Sequence, residues 1–199
     1  MRTRQWFWRA SFSERYRVGG ENFISKDLED VKDFVLQEKG NAKQFGELGS
    51  LVKTSFRISN SRTHPFALAL ALRQARNITN GAATDTAMAL SGFNKKQFHH
   101  IYPKAFLHKI GDSNDSNSIV NVCMLAASEN NAVSDSDPQE YLPTKIAALG
   151  DKADGAFFSN ILPSPSAFDY KNSTYAEFLK EREMLLAPYL NLLCDGHIS

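Results

Sequence analysis

Two adjacent imidazoles, His99 and His100, open the stretch of this chain with the greatest capacity for chemistry. Residues 98–103 read Phe-His-His-Ile-Tyr-Pro, and amides follow at Asn121, Asn130 and Asn131. An ordinary imidazole, with a pKa of about 6.5, can take a proton from water at neutral pH. An amide oxygen paired with one imidazole suits a divalent cation and leaves its other positions for water or phosphate oxygens. A base beside a cation is the equipment of phosphodiester hydrolysis, which must deprotonate water and neutralise charge on the scissile phosphate and the leaving 3′ oxygen. One geometric condition attaches to this reading. Neighbours in a strand point to opposite faces, so His99 and His100 serve one site only where a bend or bulge re-aims one of them. Taken singly, a histidine pair in an apolar strand is packing or surface, and an asparagine is a turn or cap residue. The order and spacing of the set carry the hydrolytic reading. His64 reads as a helix-start residue and His108 as a surface residue, and neither is assigned a role.

These side chains need elements to hold them. Apolar and β-branched residues lie on both sides of a polar loop at 111–118, and small helix-compatible residues run onward from Leu125. Strand, loop, strand and short helix give the outline of a ββα finger over about residues 93–137. Helical segments flank it at about 21–90 and 138–195. Before it, Ser25 reads as an N-cap, with Asp27 in the first turn and Leu28, Val31, Phe34 and Val35 on one face of an amphipathic helix that ends at Gly40. Thr63 and Pro65 start a run, 66–76, that is apolar nearly all round and predicts a buried central helix. A short helix is expected over 84–90. Beyond the finger, 139–149 and 174–193 read as helices, the second interrupted near Pro188, with a Pro- and Ser-rich loop at 160–173 between them. The opening aromatics Trp6, Phe7, Trp8, Phe12 and Tyr16 require a core to bury them, and Gly19-Gly20 closes that segment. The expected fold class is therefore α+β, a mainly helical domain with an embedded ββα finger.

The 199 residues, 42% of them hydrophobic, are enough for one domain with a real core. No run of about 18 apolar residues is present to span a bilayer, and the N-terminus lacks a signal peptide's apolar stretch, so a cytoplasmic location without a membrane partner is expected. Cys123 and Cys194, both with apolar neighbours, read as buried thiols and exclude a disulfide framework or a four-cysteine zinc site. A net charge of +1 conceals segregation. Residues 1–20 hold five arginines against Glu14, 43–76 hold six cations against Glu47, 94–109 hold four lysines and no carboxylate, and 112–140 carry only acids. Lys96, Lys104 and Lys109 are the candidate phosphate contacts beside the histidines.

The motif HHIYP, followed by NVCML and a further asparagine nine residues after Asn121, resembles the HNH (ββα-metal) nuclease superfamily. With the opening WFWRASFSERY and the stretches SIVNVCML and SENNAVSDSDPQEYL, the chain resembles more narrowly the C-terminal nuclease domain of GmrSD-type modification-dependent restriction endonucleases and of SspE-type phage-defence nucleases. The resemblance implies one C-terminal nuclease domain spanning 1–199, preceded in the longer protein by a nucleotide-hydrolysing or modification-sensing domain. It implies DNA as substrate and one divalent metal, Mg²⁺ or Mn²⁺. Residue by residue, it makes His99 the first metal ligand, His100 the general base, Asn121 the amide that holds the loop and helps orient the base, and Asn130 the second ligand, with Asn131 as the alternative in a shifted register. Two departures matter. Many members carry Asp where this chain has His99, which moves the expected metal preference toward Mn²⁺, Co²⁺ or Ni²⁺. The 21 positions from His100 to Asn121 also exceed a compact finger. One such site cuts one strand, so nicking is expected. The alternatives are a non-cleaving module of the same shape that binds DNA or protein, and a purely structural helical domain.

Overall fold

The computed structural model describes residues 1–17, 20–91, 98–125 and 136–197. Among these, the chain runs α1 (Arg2–Phe12), α2 (Gly20–Leu36), α3 (Thr63–Leu72), α4 (Thr86–Leu90), β1 (Phe98–His100), α5 (Lys104–Lys109), β2 (Val122–Met124), α6 (Pro138–Leu149), α7 (Ala153–Ser159) and α8 (Tyr175–Cys194). The class is α+β: helices surround one small antiparallel sheet of β1 and β2.

α3 sits at the centre because its sequence, THPFALALAL, offers no polar face beyond its first turn. Phe66, Ala67, Ala69 and Leu70 are all fully buried. Burying such a face removes the cost of apolar surface in water, about 25 cal/mol for each Å² covered. α8 packs in the same core through Phe178, Leu186 and Leu190, and its Tyr189 hydroxyl donates to the Ala69 carbonyl at 3.0 Å. Its start is fixed by a reciprocal cap, in which the Thr174 hydroxyl accepts from the Glu177 N–H and Glu177 accepts from the Thr174 N–H. Of the opening aromatics, Trp8 and Phe12 on α1 are buried and stack at 5.8 Å between centroids, whereas Phe7 and Tyr16 stay exposed.

Several boundaries differ from the sequence-based expectation. α2 starts at Gly20, so Ser25 is inside the helix and is no cap. Asp27 is a tertiary anchor: it is buried and takes both Arg15 Nε and Nη2 at 2.6 Å and the Tyr16 hydroxyl at 2.6 Å. Those contacts override the weak start signals of residues 20–25. Leu28 is not on the buried face; it is 76% exposed, while Phe34 closes a small cluster with Ala42 and Phe45. α8 continues through Pro188 without a break. The carbonyl that Pro188 leaves without a donor is that of Met184, an exposed residue on the solvent-facing side of the helix. Residues 104–109, expected as part of a loop, form α5, and 153–159 form α7. No helix among the described residues is long and apolar enough to cross a membrane.

Candidate active-site cleft at His100

β1 and β2 pair in the register Phe98↔Met124, His99↔Cys123 and His100↔Val122. The long connection between them is accommodated by α5 and by a 3₁₀ turn at Ile119–Asn121. Asn121 fastens the two ends of that connection. Its carbonyl accepts from the Ile101 N–H at 2.9 Å, its Oδ1 accepts from the Tyr102 N–H at 2.9 Å, and its Nδ2 donates to the carbonyls of Tyr102 and Ser116, each at 2.9 Å. A buried amide with all these groups satisfied holds a turn in one geometry. From α8, Arg182 clamps the other side: Nη1 donates to the Val120 carbonyl at 2.6 Å, Nη2 to Asn160 at 3.0 Å and Nε to Ile161 at 3.1 Å. Asn160 in turn accepts from the Met124 N–H through Oδ1 at 3.1 Å.

On this frame the His100 ring meets Asn117, with Nε2 at 2.9 Å from Oδ1. The Asn117 amide has no rotational choice. Its Nδ2 donates to the Phe56 carbonyl at 2.8 Å and to Ser55 Oγ at 3.1 Å, and a flipped amide would set two carbonyl oxygens against each other. Oδ1 therefore faces His100 as an acceptor, Nε2 carries the proton, and the lone pair of the neutral ring is on Nδ1. Burial pushes the His100 pKa down to about 4, the Lys104 ammonium adds to the shift, and the bond to Asn117 opposes it. The ring is thus neutral at pH 7, the form in which an imidazole accepts a proton.

His100 lines a cleft of about 620 Å³. Phe56, Ile58 and Phe98 make an apolar wall, Arg57 and Lys104 supply two cations, and no carboxylate among the described residues lines it. An anion with apolar substituents matches that lining.

The residues singled out from sequence are distributed as follows. His99 is 4% exposed and lies on the strand face opposite His100, because the register across 98–100 and 122–124 is regular and contains no bulge. The re-aiming that would bring both rings to one side is not present in β1. Asn130, Asn131 and Lys96 lie outside the described residues. Among the described residues no group of three His, Cys, Asp or Glu side chains converges on a metal position. Of the candidate metal ligands only His99 lies among the described residues, and it does not share a strand face with His100. Lys104 lines the cleft, whereas exposed Lys109, at the far end of α5, does not. Asn121 braces backbone and makes no bond to the imidazole; the imidazole's partner is Asn117. Sequence reasoning missed Asn117 and Arg57. Nothing local separates Asn117 from Asn114 in the Asp-, Asn- and Ser-rich loop, and only the bridge Ser55↔Ser118 brings residues 55–57 alongside.

The buried neutral ring has a consequence for stability. The unfolded chain binds a proton at His100 near pH 6.5 and the folded chain only near pH 4, so stability is greatest above pH 6.5 and falls as pH drops through that window. The full difference amounts to about 3 kcal/mol. Urea unfolding in EDTA at pH 7 and pH 4.5 should show this loss in the parent and a smaller loss in His100→Gln; equal losses in both would contradict it.

Comparison with protein-family models, with curated proteins and with solved structures finds no match to this chain.

Proposed function

We propose that this chain is a metal-dependent DNA endonuclease of the HNH type, a nicking phosphodiester hydrolase of restriction or anti-phage defence in the cytoplasm, with His100 as its general base. The observation that carries the reading is the neutral His100 ring, turned by Asn117 so that Nδ1 holds the lone pair, in a cleft that Arg57 and Lys104 line without an acid among the described residues. In the reaction, Nδ1 takes a proton from water, the resulting hydroxide attacks phosphorus, and the bond to the 3′ oxygen breaks; that oxygen takes a proton from solvent water, leaving 5′-phosphate and 3′-hydroxyl ends. A phosphate entering the cleft would itself raise the His100 pKa, since a nearby anion favours the protonated ring. That shift strengthens the base when substrate is bound. Arg57 and Lys104 bind and orient the phosphate. The resemblance makes His99 and Asn130 the residues that would hold a divalent cation, which when bound would supply charge neutralisation; His99 lies on the strand face opposite His100 in β1. The preceding nucleotide-hydrolysing or modification-sensing domain belongs to the same proposal.

Asn117 is the first point at which to test the base. Asn117→Ala leaves the ring free to rotate and to take either tautomer, and loss of such an orienting partner costs roughly 10–100-fold in rate. Plasmid nicking should slow by that factor with substrate binding little changed, and an Asn117→Ala rate equal to the parent's would count against the assignment. The buried setting of His99 favours a second reading, a module of this shape that binds DNA without cutting it. It predicts binding in gel-shift assays and no nicking with any divalent cation.

A further inference from the structure

The cleft at His100 does not end at Arg57. A second depression of about 310 Å³ is lined by Glu14, Arg17, Ser55 and Asn60, and it shares Arg57 and Ser59 with the first. Glu14, the one carboxylate among the described residues of its lining, is engaged by Arg17 Nη1 at 3.1 Å and lies 3.8 Å from Arg62 Nη2, so the three side chains together keep one net positive charge. Arg57 stands between the two depressions. Its side chain is exposed and forms no ion pair among the described residues, while its backbone is fixed by donation to Thr63 Oγ1 at 3.1 Å. The same loop holds the base, because the neighbouring Phe56 N–H donates to the Asn117 carbonyl at 2.6 Å and the Phe56 carbonyl accepts from Asn117 Nδ2. The Arg57 backbone is thus held on the frame that orients His100, and its side chain borders both depressions.

We propose that Arg57 joins the two depressions into one groove that carries a single backbone strand of DNA past His100, one phosphate between Arg57 and Lys104 and the next toward Arg17. This rests on the endonuclease reading and adds the path of the strand. Successive phosphates repel one another, and cations at Lys104, Arg57 and Arg17 answer that repulsion in order along the groove. The apolar wall of Phe56, Ile58 and Phe98 leaves space beside the first phosphate for an unpaired base.

The test uses the full chain in the His100→Ala background, with a fluorescein-labelled 20-nucleotide single strand and the matching duplex, in EDTA, with anisotropy read across a salt series. Arg57→Ala should weaken single-strand binding roughly 5–20-fold and lower the slope of log K against log salt by about 1. Arg57→Ala with Arg17→Ala should lower it by about 2, and Lys152→Ala, on the far helix α7 border, should change neither quantity. The single strand should bind more tightly than the duplex. An Arg57→Ala protein with the parent's affinity and slope overturns the groove, as does an equal loss from Lys152→Ala or a clear preference for duplex. Failure of the background protein to bind either DNA at 50 mM salt sinks the endonuclease reading with it, whereas binding that ignores Arg57 sinks the groove alone.

Discussion

Replacing His100 with alanine should lower the rate of phosphodiester cleavage about 1,000-fold while leaving fold and DNA binding intact. General-base assistance is worth roughly 10²–10⁴ in rate, and among the described residues that line the cleft the His100 ring is the one nitrogen base that is neutral at pH 7. Arg57 and Lys104 remain to bind phosphate, so affinity should change by no more than about threefold. Folding should not suffer either, because the vacated Asn117 oxygen borders the cleft where water can reach it, and the penalty of a buried ring that charges at low pH disappears. The variant should therefore separate chemistry from binding. Rate and affinity lost together would assign His100 to the structure of the loop and not to catalysis. Single-turnover cleavage of supercoiled plasmid, read beside the anisotropy of a labelled oligonucleotide, distinguishes the two outcomes.

The second large effect is structural. Arg182 is fully buried, has no carboxylate partner, and spends its donors on the carbonyls of Val120, Asn160 and Ile161. Burial lowers its pKa to about 10, which still leaves it charged at neutral pH. Ile161 has a φ of 54°, a left-handed conformation that costs a β-branched residue about 1–2 kcal/mol, and the Arg182 Nε bond helps to hold it. Arg182→Ala strips three buried carbonyls of their donor and opens a void, for an expected loss of about 4 kcal/mol, or roughly 10 °C in Tm. Arg182→Lys should recover less than half, since one ammonium cannot reach three carbonyls spread around a planar fork. Because Val120 leads directly into Asn121 and β2, catalysis should fail along with folding in both variants. Thermal unfolding of the two proteins beside the parent measures this, and a loss under about 1 kcal/mol would contradict it.

What the sequence could reveal followed from where each determinant lies. α3 was legible because ten residues of almost unbroken apolar character have only one place to go, and α8 because a capping residue and an apolar stripe lie within its own length. The α+β class and the extended segments on either side of a polar loop were legible for the same reason: the signals are local. The start of α2 was not, since it depends on Arg15, Tyr16 and Asp27 meeting across a turn. α5 was hidden within the long connection from His100 to Asn121, although Pro103 stands at its N-cap and Leu107 gives it a buried anchor. In the site, His100 was found by type and neighbours, whereas Asn117 and Arg57 owe their roles to residues some sixty positions apart in sequence that the Ser55↔Ser118 bridge brings together. The alternation of β1 sends His99 away from His100, as strand geometry without a bulge requires.

The most direct measurement is conversion of supercoiled plasmid to the open circle by the purified chain at pH 7.5, with Mn²⁺ or Mg²⁺ and then with excess EDTA. A nicking endonuclease based on His100 predicts open circles with cation, none with chelator, and none from His100→Ala under either condition. Absence of nicking by the parent with every divalent cation, or equal nicking by the parent and His100→Ala, would contradict the account.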